Sequence, residues 1–307
     1  MQTHLIHFLT SDNLRLPGLL FEPQKQTKKV AIYLHGNGTS SVFYSKNTPI
    51  LAKNLTDAGI SYFPFNNRGA HLMKSFKIPD GDKEKRMMYG TAYELIKDCI
   101  KDIDGSIEAL QQRGYTEFYL IGESTGANKI VVYHYYKRQN PVSKYILLSG
   151  GDDTGITYSE LGKKTFFKAL KKSKEHIEMG KGMDLVPKYM SPFPYSYQAL
   201  YDVINPDGDY NTFPYNEYFN DLKLTSKALF REFKTLDKPT LVIYGEHDEF
   251  CYGDVQRCIE ALKTHTSHPK LMTYEMIREA DHGFSGKEEE LAEMMVKWLN
   301  SYSSLYR

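Results

Sequence analysis

Cysteine is scarce in this chain, and the three present (Cys99, Cys251 and Cys258) show no CxxC spacing. That excludes a disulfide framework and argues against a structural zinc site; buried free thiols in a reducing compartment are expected instead. Long apolar runs are also missing. No window approaches the roughly 18 residues that would span a bilayer. The opening stretch, MQTHLIHFLTSDNLRLPG, has no basic start followed by a long apolar core and does not read as a signal peptide. A cytoplasmic location is therefore expected. Net charge is nearly absent too: 39 Lys and Arg stand against 38 Asp and Glu. Such a balance gives no field directed at nucleic acid or an anionic membrane.

What is present is the rhythm of an α/β protein. Two strand-like runs flank Ser11-Asp12-Asn13, which predicts an antiparallel hairpin. Apolar runs typical of strands buried on both faces follow near residues 30–34, 59–69, 118–124, 144–153, 239–248 and 270–283. Helical spacing lies between several of them. Tyr93, Ile96, Ile100, Ile103, Ile107 and Leu110 recur at threes and fours, with Gly114 as the stop. Residues 125–138, 255–262 and 291–299 are further helix candidates. Strands alternating with helices predict a mostly parallel sheet flanked by helices, in a chain of 307 residues long enough for one large domain with an insertion. The rhythm fails between residues 151 and 236, where no sheet strand is evident. This stretch carries six lysines at 163–174 and a tract rich in Tyr, Phe, Pro and Asn at 189–219. So long a structureless loop is improbable, so an inserted, mainly helical cap is expected there, with the core formed by 1–150 and 237–307. Residues 80–86, DGDKEKR, read as a surface loop.

Chemistry concentrates at strand ends. In FYLIGESTGAN the pattern Gly122-x-Ser124-x-Gly126 sits between a strand and a helix. A serine there is lifted on a sharp turn, and its neighbours must be small because strand and helix backbones pass closely. A hydroxyl near neutral pH needs a base, and the base needs an orienting acid. GEHD supplies Asp248 and READHGF supplies His282, each at a later strand end and in the order this architecture requires. Glu246 and Glu249 are rival acids, and position favours Asp248. Asp281, adjacent to His282, cannot reach round to orient its neighbour's ring. The backbone N–H of Thr125, with that of Asn37 (or Gly38) in HGNG, would form an oxyanion hole. His35 and Arg68 read as braces for their loops, and His247 as an exposed loop residue. Cap aromatics are expected to touch substrate.

With HGNG, GESTG, GEHD and DHG in place, the sequence resembles the α/β-hydrolase superfamily over its whole length except the cap. Within it the chain is most similar to serine esterases, including feruloyl-type and siderophore-type ester hydrolases. The resemblance implies a Ser-His-Asp carboxylic ester hydrolase acting on a small-molecule ester, without metal or organic cofactor. Peptidase, thioesterase, lactonase or acyltransferase chemistry on the same triad, or small-molecule binding without turnover, are the alternatives, because fold alone does not choose among them. Many relatives carry His immediately before the serine, whereas this chain carries Glu123.

Overall fold

The computed structural model describes residues 1–43, 45–81 and 83–301. The expected hairpin forms from β1 (Gln2–Leu9) and β2 (Arg15–Glu22), with Gln2 opposite Glu22 and Leu9 opposite Arg15. Asn13 turns the chain with φ 62°, a conformation asparagine tolerates. The buried runs become β3 (Lys29–Leu34) and β4 (Ser61–Phe65), separated by helix α1 (Asn47–Asp57). Next come β5 (Lys74–Asp80) and β6 (Lys83–Tyr89), then α2 (Cys99–Gln112), β7 (Glu117–Glu123), α3 (Thr125–Tyr136) and β8 (Val142–Leu148). After a long helical stretch the chain returns through β9 (Thr240–Gly245), α7 (Val255–His265), β10 (Met272–Ile277) and α8 (Glu288–Ser301).

Eight strands form one sheet in the order β1-β2-β4-β3-β7-β8-β9-β10. All neighbours from β4 onward run parallel, while β1 and β2 form an antiparallel edge. Side chains alternate across the sheet as strand geometry requires. Val30, Ile32, Leu34 and Leu120 join the core under α2, α3 and α7, while Ala31, Tyr33 and Ile121 join the opposite core with α1 and α8. Burial on both faces explains why these strands read as continuous apolar runs.

Two local expectations need correction. Residues 80–86 fall in the separate β5–β6 hairpin, not a loop (Asp82 lies outside the described residues). Phe76, Ile78, Met87 and Tyr89 turn one face of that hairpin to the core, while Lys77 and Glu84 pair in solvent at 2.9 Å. The charged face hid the alternation. The helix expected from Tyr93 begins later, at Cys99, after a short 3-10 turn over Ile96–Asp98.

Between β8 and β9 the chain contributes no strand to the sheet. It forms α4 (Asp153–Glu178), α5 (Tyr197–Ile204) and α6 (Tyr215–Asn220). Gly162, at φ 70° and ψ 155°, bends α4 sharply, so its first nine residues form a separate rod. Tyr210, Phe213 and Tyr215 from the aromatic tract are buried in the main core.

Candidate active site

Four parallel strands, β3, β7, β9 and β10, deliver the candidate residues from their carboxyl ends, where open α/β sheets place ligands. Ser124 follows β7 directly and opens α3. Its backbone sits at φ 56° and ψ −126°, a region costly for a residue with a side chain and held only when the surroundings over-determine it. Those surroundings are explicit. The Ser124 N–H donates to Leu148 O at 2.8 Å, and the Ala127 N–H to Ser124 O at 2.8 Å. A Cβ on Gly122 would run into the carbonyl of Gly126, and one on Gly126 into the carbonyl of Leu34. Both glycines are therefore required by backbone contact. A Cβ on Gly36 would lie 2.9 Å from Ser124 Cβ, so the HGNG loop packs against the serine itself.

Asp248 and His282 meet across the ends of β9 and β10. Nδ1 of His282 lies 2.9 Å from Asp248 Oδ1 and 3.0 Å from Oδ2. Asp248 is 3% exposed and also accepts a hydrogen bond from the Phe250 N–H at 3.0 Å. The Phe250 ring stands edge-on to the imidazole, with centroids 4.6 Å apart. Burial disfavours the imidazolium, but the Asp248 bond and charge, helped by Glu123 and Glu249, outweigh it and hold the His282 pKa above its ordinary 6.5. The rival acids are engaged elsewhere: Glu249 accepts from the His282 N–H at 3.1 Å and Glu246 from the Glu279 N–H at 2.9 Å. Asp281 accepts from the Ser285 N–H at 2.8 Å and does not bond the imidazole.

Ser124, His282, Gly36 and Asn37 line one cavity of about 330 Å³. Among the described residues no hydrogen bond joins the Ser124 hydroxyl to His282, as is common before substrate tightens a site. The backbone N–H groups of Asn37 and Thr125 likewise carry no bond to another described residue, so both can donate to a ligand. Gly38 is excluded from that role because its N–H donates to Thr91 Oγ1 at 2.7 Å.

The bracing residues behave as their positions suggested. His35 is buried, its Nδ1–H donating to Gly36 O at 2.8 Å and its Nε2 accepting from the Asn67 N–H at 3.3 Å. Burial and the nearby Lys129 charge push its pKa down to about 3, which keeps it neutral. Arg68 is buried behind the site and bonds Asp102 through Nε at 2.9 Å and Nη2 at 2.7 Å. His247 is exposed.

Several partners were not legible in the sequence. Glu123 lines the cavity beside Ser124, and its Oε2 accepts from the Tyr33 hydroxyl and from Asn47 Nδ2 at 3.3 Å. Burial raises the Glu123 pKa, with Tyr33, His282 and Asn47 opposing. Asn37 Nδ2 donates to the Tyr195 hydroxyl at 2.8 Å. From the stretch between β8 and β9, Asp153, Ile156, Thr157 and Glu160 on α4 and Met190 and Phe193 after it line the cavity. None of the six lysines at 163–174 does. The strand end GGDD was the available signal for Asp153, since it occupies the same kind of position as Ser124 and Asp248. Among the described residues, no group of His, Cys, Asp and Glu side chains is placed to hold a metal ion, and no helix is long and apolar enough to cross a membrane.

Comparison with solved structures gives the same architecture. Est1E from Butyrivibrio proteoclasticus, solved with ferulic acid bound, superposes with TM-score 0.64 at 13% identity, covering 96% of this chain and 98% of that one. The α/β hydrolase GrgF from Penicillium sp. sh18 gives 0.65 at 13% identity, over 98% and 99% of the two chains. The Pyrococcus furiosus esterase PF2001 gives 0.55 at 15% identity, over 98% and 91%. Likeness at such identities shows the fold. No curated protein matches by sequence. A family model described as serine aminopeptidase, S33 (Hydrolase_4), matches residues 25–284, most of the chain's length. The chain belongs to this family of α/β hydrolases.

Proposed function

We propose that the protein is a serine hydrolase that cleaves a carboxylic ester through an acyl-enzyme, with Ser124, His282 and Asp248 as its triad. The observation that carries this reading is the His282–Asp248 pair, bonded at 2.9 and 3.0 Å, beside a cavity shared with a serine on a strained strand-to-helix turn. His282 Nε2 takes the Ser124 proton as Oγ bonds the ester carbonyl carbon. The tetrahedral oxyanion is held by the Asn37 and Thr125 N–H groups. The intermediate collapses, the C–O bond to the alcohol breaks, and His282 returns the proton to the departing alcohol. Water then repeats the sequence on the acyl-enzyme, releasing the acid and freeing Ser124. Asp248 holds the proton on Nδ1, so that Nε2 is the free acceptor.

Residues 151–236 act as a cap over this site in the same reading, supported by the α4 face and the 190–195 segment along the cavity. Turnover of p-nitrophenyl esters tests the proposal. Ser124→Ala should lose at least about 10³-fold in kcat while the circular dichroism spectrum is unchanged. Retained turnover in the folded variant would refute it. The family description favours a second reading, aminopeptidase chemistry on the same triad. Amino-acid p-nitroanilides compared with the matched p-nitrophenyl esters decide between the two.

A further inference from the structure

Positions 163–174 hold six lysines and no acidic residue, and none of the six lines the catalytic cavity. Gly162 breaks the helix, so Lys163 and Lys164 open the second rod of α4, where the helix dipole disfavours cations. Lys164, Lys168 and Lys172 then follow at four-residue steps, a spacing at which like charges on a helix repel. Helix stability therefore does not account for the stripe. Among the described residues, Lys171 is the one member of the six that pairs with a carboxylate, Glu175 at 3.8 Å.

Lys164, Lys168 and Lys172 line a groove of about 490 Å³ with Tyr189 and Met190, and among the described residues no carboxylate lines it. Lys164 and Lys168 are exposed and Lys172 is half-buried. Lys172 Nζ donates to the Tyr189 hydroxyl at 2.9 Å. That bond, with the charges of Lys172 and Lys168, lowers the Tyr189 pKa, so both ammonium groups act on the same hydroxyl. Because the Tyr189 oxygen accepts from Lys172, its own hydrogen is left for an acceptor in the groove. The catalytic cavity has the opposite character: Glu123, Asp153 and Glu160 line it, and no Lys or Arg does among the described residues. A ligand complementary to the groove is an anion. Successive lysines of the stripe rise about 6 Å along the helix axis, and Lys164 and Lys172 about 12 Å, so linked anionic groups meet more of them than a single one does. Lys163, Lys171 and Lys174 are equally exposed but lie outside the groove. An anionic bilayer would draw on all six charges, whereas a recess lined by three favours a small ligand.

We propose that this groove is a binding site for a small soluble polyanion, such as a linear oligophosphate, held by Lys164, Lys168 and Lys172. It is distinct from the cavity of Ser124 and does not depend on the ester-hydrolase reading. Met190 lines both, so a ligand in the groove lies one side chain away from the catalytic cavity.

Isothermal titration calorimetry of the full chain with inorganic triphosphate, and with monophosphate at matched ionic strength, tests the inference. Wild type should bind a single triphosphate, at least about tenfold more tightly than monophosphate. The triple variant Lys164→Gln, Lys168→Gln, Lys172→Gln should weaken triphosphate binding by at least about tenfold. A second triple variant, Lys163→Gln, Lys171→Gln, Lys174→Gln, removes the same charge outside the groove and should weaken binding by less than about threefold. Glutamine is a good helix former, so both variants should keep the wild-type circular dichroism spectrum. Equal losses in the two variants would show a diffuse field around the helix and overturn the proposal. Absence of triphosphate binding to wild type at about 10 mM would also overturn it. Cosedimentation with vesicles of phosphatidylcholine and phosphatidylserine distinguishes the other source of phosphate: binding to vesicles without binding to triphosphate would assign the lysines to a membrane surface and overturn the proposal as well.

Discussion

Replacing Asp248 by Asn tests the proposed mechanism at its most specific geometric feature. Both carboxylate oxygens face His282 Nδ1, at 2.9 and 3.0 Å, and Oδ1 also accepts from the Phe250 N–H at 3.0 Å. That backbone donor fixes the orientation of a carboxamide, whose oxygen must take the Oδ1 position. The amide NH₂ then occupies the Oδ2 position and points a hydrogen at Nδ1. A donor facing Nδ1 favours the tautomer with its proton on Nε2, the nitrogen that must accept the Ser124 proton. Loss of the correct tautomer in a serine triad costs roughly 10⁴ in kcat, or about 5.4 kcal/mol at 1.36 kcal/mol per decade. The pH profile should move as well. His282 acts as a base only when neutral, so wild-type kcat/KM should rise with pH through an apparent pKa above 6.5, in line with the raised imidazole. Without the Asp248 charge, burial opposes the cation with only Glu123 and Glu249 against it, and the limb should move to lower pH. Steady-state kinetics from pH 5 to 9 on one p-nitrophenyl ester reads both effects. A loss smaller than tenfold, or a limb that stays in place, would refute the assigned roles.

Glu123→Gln should keep the Tyr33 hydrogen bond but remove a carboxylate that raises the His282 pKa. The acid limb of kcat/KM should fall, by less than in Asp248→Asn, with plateau kcat within about tenfold of wild type; an unchanged limb would refute the coupling. Arg68→Met should destabilise the fold by about 3–5 kcal/mol, because Asp102, whose side chain is 1% exposed, would be left as an unpaired buried carboxylate. Urea denaturation at pH 7 measures this, and a loss below about 1 kcal/mol would show that Asp102 is relieved by other means. The same network sets an acid dependence in wild type. Burial opposes ionisation of Asp12, but Arg68, Thr10 and Lys101 outweigh it and depress its pKa. Its stabilising contribution is therefore present above the unfolded carboxyl pKa near 3.9 and is lost as pH falls through the depressed value.

The sheet was legible because strands buried on both faces leave continuous apolar runs, as in residues 30–34 and 118–121. The candidate triad was legible for a different reason. Its positions are fixed by local backbone demands, such as the contacts that forbid a Cβ at Gly122 and Gly126, and those demands leave glycines in the sequence. What the sequence hid depends on distant partners. Nothing near Glu123 announces Tyr33 or Asn47, which reach it from β3 and α1. Nothing in the aromatic tract separates Tyr210 and Phe213, which pack in the core, from Phe193, which lines the cavity, or from Tyr195, which does both. That division is set by how the stretch between β8 and β9 folds back on the sheet, and tyrosine and phenylalanine serve either end equally well.

The electrostatics of the site pull in two directions. A stronger base takes the serine proton more readily, but near neutral pH it is also more often already protonated and idle. Three carboxylates, Asp248, Glu123 and Glu249, push His282 toward the cation, while its burial pushes back. Asp248 cannot be weakened without losing the Nδ1 bond that orients the ring. Glu123 has no such bond to His282; its hydrogen bonds go to Tyr33 and Asn47. Its own raised pKa makes its charge the more easily extinguished influence on the base. Residue 123 is therefore where the working pH of the proposed triad can shift while its geometry stays intact, and comparing the pH limbs of Glu123→Gln and Asp248→Asn separates tuning of the base from its orientation.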